Sequence, residues 1–85
     1  MTTLQDKFAQ AQKDVNTLSE RPDNDTMLKL YALFKQATKG DAAGEPPGAF
    51  DFVARAKYDA WSGLKGTSSD EAMQQYIDLV TSLQR

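Results

Sequence analysis

Hydrophobic residues recur every three or four positions in four separate stretches of the chain, and nowhere do they alternate convincingly with a period of two. That periodicity predicts amphipathic helices and no sheet. The first stretch carries Leu4, Phe8, Ala11, Val15 and Leu18. It is expected to run until just before Arg21-Pro22, because a residue preceding proline is pushed out of the helical region. Asp23, Asn24 and Asp25 offer capping oxygens for a second helix, from about Asp25 to Lys39, which Gly40 closes as a left-handed C-cap. A third helix spans about Asp51 to Lys65 and ends at Gly66. Ser68 followed by Glu71 reads as a capping box for the fourth, which buries Met73, Tyr76, Ile77, Val80 and Leu83.

Between the second and third helices, residues 41–48 include Gly44, Pro46, Pro47 and Gly48. This loop is long for a helical bundle. A short turn forces neighbouring helices antiparallel, whereas a long one lets them run parallel. The prediction is an all-α four-helix bundle without simple up-down-up-down order, with residues 1–85 forming one domain.

Two helices carry more than a core stripe requires. On the second, Met27, Leu30, Leu33, Phe34 and Ala37 form an ordinary core face at about 100° per residue. Leu28, Tyr31 and Lys35 widen it into a second stripe that passes from aliphatic to aromatic to cationic. Such a stripe suits a groove for an amphiphile with an anionic head near Lys35. Periodicity alone favours Leu28 and Tyr31 covering neighbouring helices while Lys35 snorkels. On the third helix, Val53, Ala60, Trp61 and Leu64 share a face with Lys57 in its middle. An ammonium there must reach water, a carboxylate or a bound anion. Its stem packing on Trp61 is the structural alternative. If both lysines face one cleft, they make an anion site beside aromatic rings, which fits a nucleotide phosphate and its base.

Composition narrows the chemistry. The 85 residues include no cysteine and no histidine, which removes disulfides, thiolate ligands and the commonest general base and metal ligand. No metal site and no catalytic residues are expected; Asp51 and Asp59 do not read as a catalytic pair, and no phosphate-binding glycine loop is present. Ten basic against twelve acidic residues give a net charge of -2, which disfavours a general nucleic-acid grip. No stretch approaches the ~20 apolar residues of a membrane span, and the N-terminus has no signal-peptide pattern. A soluble cytoplasmic protein is expected.

Tyr31-Ala32-Leu33-Phe34-Lys35-Gln36-Ala37-Thr38-Lys39-Gly40-Asp41, followed by Ala56-Lys57-Tyr58-Asp59-Ala60-Trp61 and Leu64-Lys65-Gly66-Thr67-Ser68, closely resembles the acyl-CoA-binding protein family. The resemblance runs from about Phe8 to Tyr76. It implies a helical carrier, not an enzyme, whose bowl holds long-chain acyl-coenzyme A as ligand, with no cofactor. It places Tyr31, Lys35, Lys57 and Tyr76 around the adenine and 3′-phosphate, and Met27 and Leu28 along the acyl chain. The chain departs from the family pattern at several of its positions. Phe34 stands where many members have tyrosine, Val53 where lysine is common and Asn16 where a basic residue is frequent. Gln12 replaces a small residue near the acyl groove, and Tyr58 replaces tryptophan.

The resemblance implies an acyl-CoA buffer that serves acyl-CoA-using enzymes. A helical protein-interaction module, with the wide face of the second helix receiving a partner's helix, is the alternative. A monomer is expected.

Overall fold

Local hydrogen bonds start and stop each helix, and they decide where the expected boundaries hold. The computed structural model describes residues 2–84, which form α1 (Leu4–Val15), α2 (Asn24–Lys39), α3 (Phe52–Ser62) and α4 (Ser69–Leu83). Among the described residues there is no strand. A complete capping box opens α1: the Thr3 side chain accepts from the Asp6 N–H, and the Asp6 carboxylate accepts from the Thr3 N–H. Asp23 caps α2 by accepting from the Thr26 N–H at 2.8 Å, and Asp51 caps α3 by accepting from the Ala54 N–H at 3.2 Å. For α4, Ser68 accepts from the Glu71 N–H at 3.1 Å, which is only half of the expected capping box.

Two helices are shorter than the sequence suggested. α1 ends at Val15 rather than running on through Leu18 towards Arg21-Pro22. Its polar end explains this. Asn16 donates its side-chain amide to the Gln12 carbonyl, and the Thr17 hydroxyl donates to the Asp14 carbonyl. Those bonds satisfy the last turn and let the chain leave. α3 stops at Ser62 rather than Lys65. The N–H groups of Leu64 and Lys65 bond three residues back, so a tight turn replaces the last helical turn. That turn leads Leu64 towards the core.

The core lies among α1, α2 and α4. Phe8 and Ala11 from α1, Leu30, Leu33 and Ala37 from α2, and Ala72, Tyr76 and Val80 from α4 form one buried cluster. α2 and α4 pack together, and so do α1 and α4, whereas α3 has backbone neighbours in α2 alone. No residue of α3 is fully buried. The bundle is therefore open on one side.

As the long loop suggested, α2 and α3 run parallel. Tyr31 meets Lys57, and one turn further along both helices Lys35 meets Trp61. The loop between them is held against α3. Tyr58 donates its hydroxyl to the Gly44 carbonyl at 3.2 Å, and Arg55 donates to the Pro47 carbonyl at 3.4 Å.

A candidate binding cleft between α2 and α3

Parallel helices of which only one is buried leave a trough between them. It has two adjoining hollows. The larger, about 580 Å³, lies towards the N-terminal ends of the helices and is walled by Met27, Leu28 and Tyr31 of α2 and Phe52, Val53, Ala56 and Lys57 of α3. Arg21 and Asn24 line it as well. The smaller, about 300 Å³, shares Tyr31, Val53 and Lys57 and continues to Tyr58 and Trp61. The shared residues make the two hollows one cleft.

Its chemistry changes along its length. Met27, Leu28 and Phe52 make the first part apolar. Further on, Lys57 Nζ lies 5.3 Å from the Tyr31 ring centroid, and Lys35 Nζ lies 5.8 Å from that ring and 5.7 Å from the Trp61 ring. Two ammonium groups thus share one tyrosine ring at cation–π distance. Among the described residues the single ion pair is Arg55–Asp59 at 3.5 Å, so neither Lys35 nor Lys57 is neutralised by a carboxylate. An unpaired pair of cations beside two aromatic faces can take an anion and a stacked ring together.

The cleft corrects one side-chain expectation. Met27, projected onto the core face of α2, is 37% exposed, and Val53, on the apolar face of α3, is 67% exposed. They lack a covering element because α3 packs on α2 alone. Every large hydrophobic side chain exposed among the described residues, namely Met27, Phe50, Phe52 and Val53, belongs to the cleft or to the chain entering α3.

Of the residues singled out from sequence, the fold brings Met27, Leu28, Tyr31, Val53 and Lys57 together along the cleft, with Lys35 against Tyr31. Phe34, Tyr76 and Gln12 line neither hollow, nor does Lys35, which borders the cleft through the Tyr31 and Trp61 rings. Phe34 stacks on Phe8 with ring centroids 6.0 Å apart, and Tyr76 meets Phe8 edge-on at 5.1 Å. Burial pushes the Tyr76 hydroxyl pKa above the ordinary phenol value. Gln12 is half-buried on α1, where its amide donates to the Phe8 carbonyl.

Several residues of the cleft region escaped helical projection. Arg21 precedes α2 and so belongs to no helical face; Asn24, read as a cap, lies in the first turn. Trp61 was legible only as a packing partner. Its indole N–H donates to the Gly40 carbonyl at 2.8 Å, tying the end of α3 to the end of α2. Gly40 has φ 82° and ψ -154°, an extended mirror-image conformation rather than the left-handed helical one. Behind it Gln36, 1% exposed, donates to the Asp41 carboxylate and to the Thr67 carbonyl, both at 2.8 Å. Asp41 also accepts from the Gly66 N–H. That bond, then the one from Gln36, holds the Asp41 carboxyl below the usual aspartate pKa.

Among the described residues no group of three potential metal ligands occurs, and no helix is long and apolar enough to cross a membrane.

A family model described as acyl CoA binding protein matches residues 5–80. The chain belongs to the acyl-CoA-binding protein family. Acyl-CoA-binding protein homolog 1 of Caenorhabditis elegans is 47% identical over 76 residues, covering 89% of this chain and 88% of that protein. Enoyl-CoA delta isomerase 2 of Rattus norvegicus is 46% identical over 83 residues; the match covers 98% of this chain but only 21% of the isomerase. The crystal structure of Oryza sativa acyl-CoA-binding protein 2 superposes with a TM-score of 0.90 at 40% identity, covering 95% of this chain and 90% of that one. The all-α, four-helix architecture is thus that of the family.

Proposed function

We infer that the protein is a non-enzymatic carrier of long-chain acyl-CoA. The observation that carries this reading is the polarity of the α2–α3 cleft, apolar at Met27, Leu28 and Phe52 and doubly cationic beside the rings at Tyr31 and Trp61. In this reading Lys35 and Lys57 pair with the phosphates, while Tyr31 or Trp61 stacks on the adenine. The acyl chain lies along Met27 and Leu28, where each buried methylene contributes roughly 0.8 kcal/mol. Specificity comes from needing both halves, since free fatty acid lacks the anion anchor and coenzyme A lacks the chain. The carrier buffers its ligand and hands it to acyl-CoA-using enzymes.

Calorimetry with palmitoyl-CoA, using coenzyme A and palmitate as controls, tests the reading. One-to-one binding of the thioester, far tighter than either half, is expected. Absence of binding at micromolar protein would refute it and favour the helical interaction module, in which peptide binding would survive substitution of Lys35 and Lys57. A second reading follows from the rat isomerase, which this chain matches over about a fifth of its length. There the same cleft would serve as a substrate-holding module of a larger enzyme, with the same binding behaviour.

A further inference from the structure

The larger hollow has a feature that a plain acyl chain does not use. In a chain of net charge -2, no carboxylate lines this hollow, and its two charged residues are both cations. Lys57 lies at one end beside Tyr31, and Arg21, with Asn24 next to it, lies towards the other. The stretch between them is walled by Met27, Leu28 and Phe52. Arg21 forms no ion pair among the described residues. Of the neighbouring carboxylates, Asp23 is occupied with the Thr26 N–H, and Glu20 lines an adjoining hollow that shares Arg21 and Met27 rather than this one. An apolar trough lined by an arginine at the end remote from the lysines assigned to the phosphates matches a ligand that is anionic at both ends.

We propose that the cleft accepts acyl-CoA thioesters whose chains end in a carboxylate, with Arg21 as the contact for the terminal group. The proposal rests on the carrier reading above, with the head at Lys35 and Lys57. A terminal carboxylate entering an apolar groove loses hydration and is rejected unless donors meet it. Arg21 presents a planar fork that can grip both carboxylate oxygens, and the Asn24 amide adds a further donor. Arg21 is exposed, so its contribution is that of a solvated pair, at most about fivefold in affinity. That suffices to offset part of the penalty and keep such ligands in the carrier's range.

The test compares hexadecanedioyl-CoA with palmitoyl-CoA by calorimetry at low salt, on the wild type, Arg21→Gln and Arg21→Lys. The readout is the ratio of the two dissociation constants within each protein. The ratio should shift against the dicarboxylic thioester by up to about fivefold in Arg21→Gln and much less in Arg21→Lys, which keeps the charge. The shift should shrink in concentrated salt. An unchanged ratio in Arg21→Gln overturns the proposal. So does an equal loss for both thioesters and for free coenzyme A, which would put Arg21 on the phosphates. Failure of the carrier reading shows separately, as a wild type that binds no palmitoyl-CoA, and the proposal then falls with it.

Discussion

Truncating the two cleft lysines separately should weaken palmitoyl-CoA binding by unequal amounts, and burial sets the order. Lys35 is half-buried between the Tyr31 and Trp61 rings, whereas Lys57 is exposed above Tyr31 alone. A charge-assisted contact made out of water is worth about 1.5–3 kcal/mol. Lys35 must give up part of its ring contact to reach a phosphate, which offsets about 0.5–1 kcal/mol. The net effect of Lys35→Ala is therefore about 1–2 kcal/mol, roughly a five- to thirtyfold rise in Kd. Lys57, as an exposed pair, contributes about 0.2–1 kcal/mol, at most about fivefold. The assay is calorimetry at low and high salt, with thermal melts to exclude unfolding. The Lys57→Ala loss should fade in salt more completely than the Lys35→Ala loss, because an exposed pair is better screened. Both lysines approach the same ring, so the double variant should depart from additivity. A Lys57→Ala loss exceeding that of Lys35→Ala would refute the burial argument. Losses below twofold for both would remove the head group from this end of the cleft.

Val53→Lys should strengthen acyl-CoA binding by up to about fivefold at low salt and hardly at all at high salt, since Val53 lines both hollows and is exposed; equal gains in both buffers on titration would exclude a charge effect. Gly40→Ala should lower stability by about 1–3 kcal/mol, because φ 82° with ψ -154° is nearly closed to a residue with a Cβ. The added Cβ meets nothing within 4 Å, so an unchanged melting temperature would mean that the turn relaxes freely. Asp41 and Asp23 both have carboxyl pKa values held below the ordinary aspartate value, Asp41 by the Gly66 N–H first and Asp23 by the hydrogen bonds of Thr26. The folded state therefore binds these protons less readily than the unfolded one. Their stabilising effect is complete above the unfolded aspartate pKa and disappears as pH falls through the lower folded values. Urea melts between pH 5 and pH 2, taken as ordinary acid-titration bounds, should show a shallower loss for Asp41→Asn than for wild type, and parallel slopes would argue against the Asp41 contribution.

The sequence was most legible where periodicity and local chemistry determine the answer. The α2 stripe of Leu30, Leu33 and Ala37 is buried, and the long loop with its glycines and prolines does leave α2 and α3 parallel. The drift from Leu28 through Tyr31 to Lys35 is legible too, but periodicity suits a snorkelling lysine as well as a cleft, and only α3 alongside makes the cleft. What escaped depended on which helices are neighbours. Val53 has the same spacing as a core residue, and only the absence of a second helix over α3 leaves it exposed. Nothing in the sequence pattern singles out Gln36, but the returning chain delivers the Thr67 carbonyl to it from far along the sequence. Its side-chain oxygen remains buried without a partner, which periodicity cannot anticipate. The early end of α1 escaped for a local reason: Asn16 and Thr17 can satisfy a helix end themselves, and the proline downstream drew the boundary too far.

The open side of the bundle links these observations. A fourth helix packed into the core would bury more apolar surface and close the trough. Here α3 contributes no fully buried residue and is held by ties near its two ends. Trp61 bonds to Gly40 and Leu64 packs on the core at one end, while Arg55 and Tyr58 hold the loop that leads into the other. An element with few buried contacts opens locally at lower free energy than the core does. In the carrier reading that weakness suits binding. A ligand touching both α2 and α3 supplies the missing contacts and stabilises the folded state as its concentration exceeds its Kd. The exposed Met27, Phe52 and Val53 would then be apolar surface left open for the ligand's chain. In that reading the Tyr31 ring, with Trp61 beside Lys35, would hold Lys35 and Lys57 in place until an anion arrives.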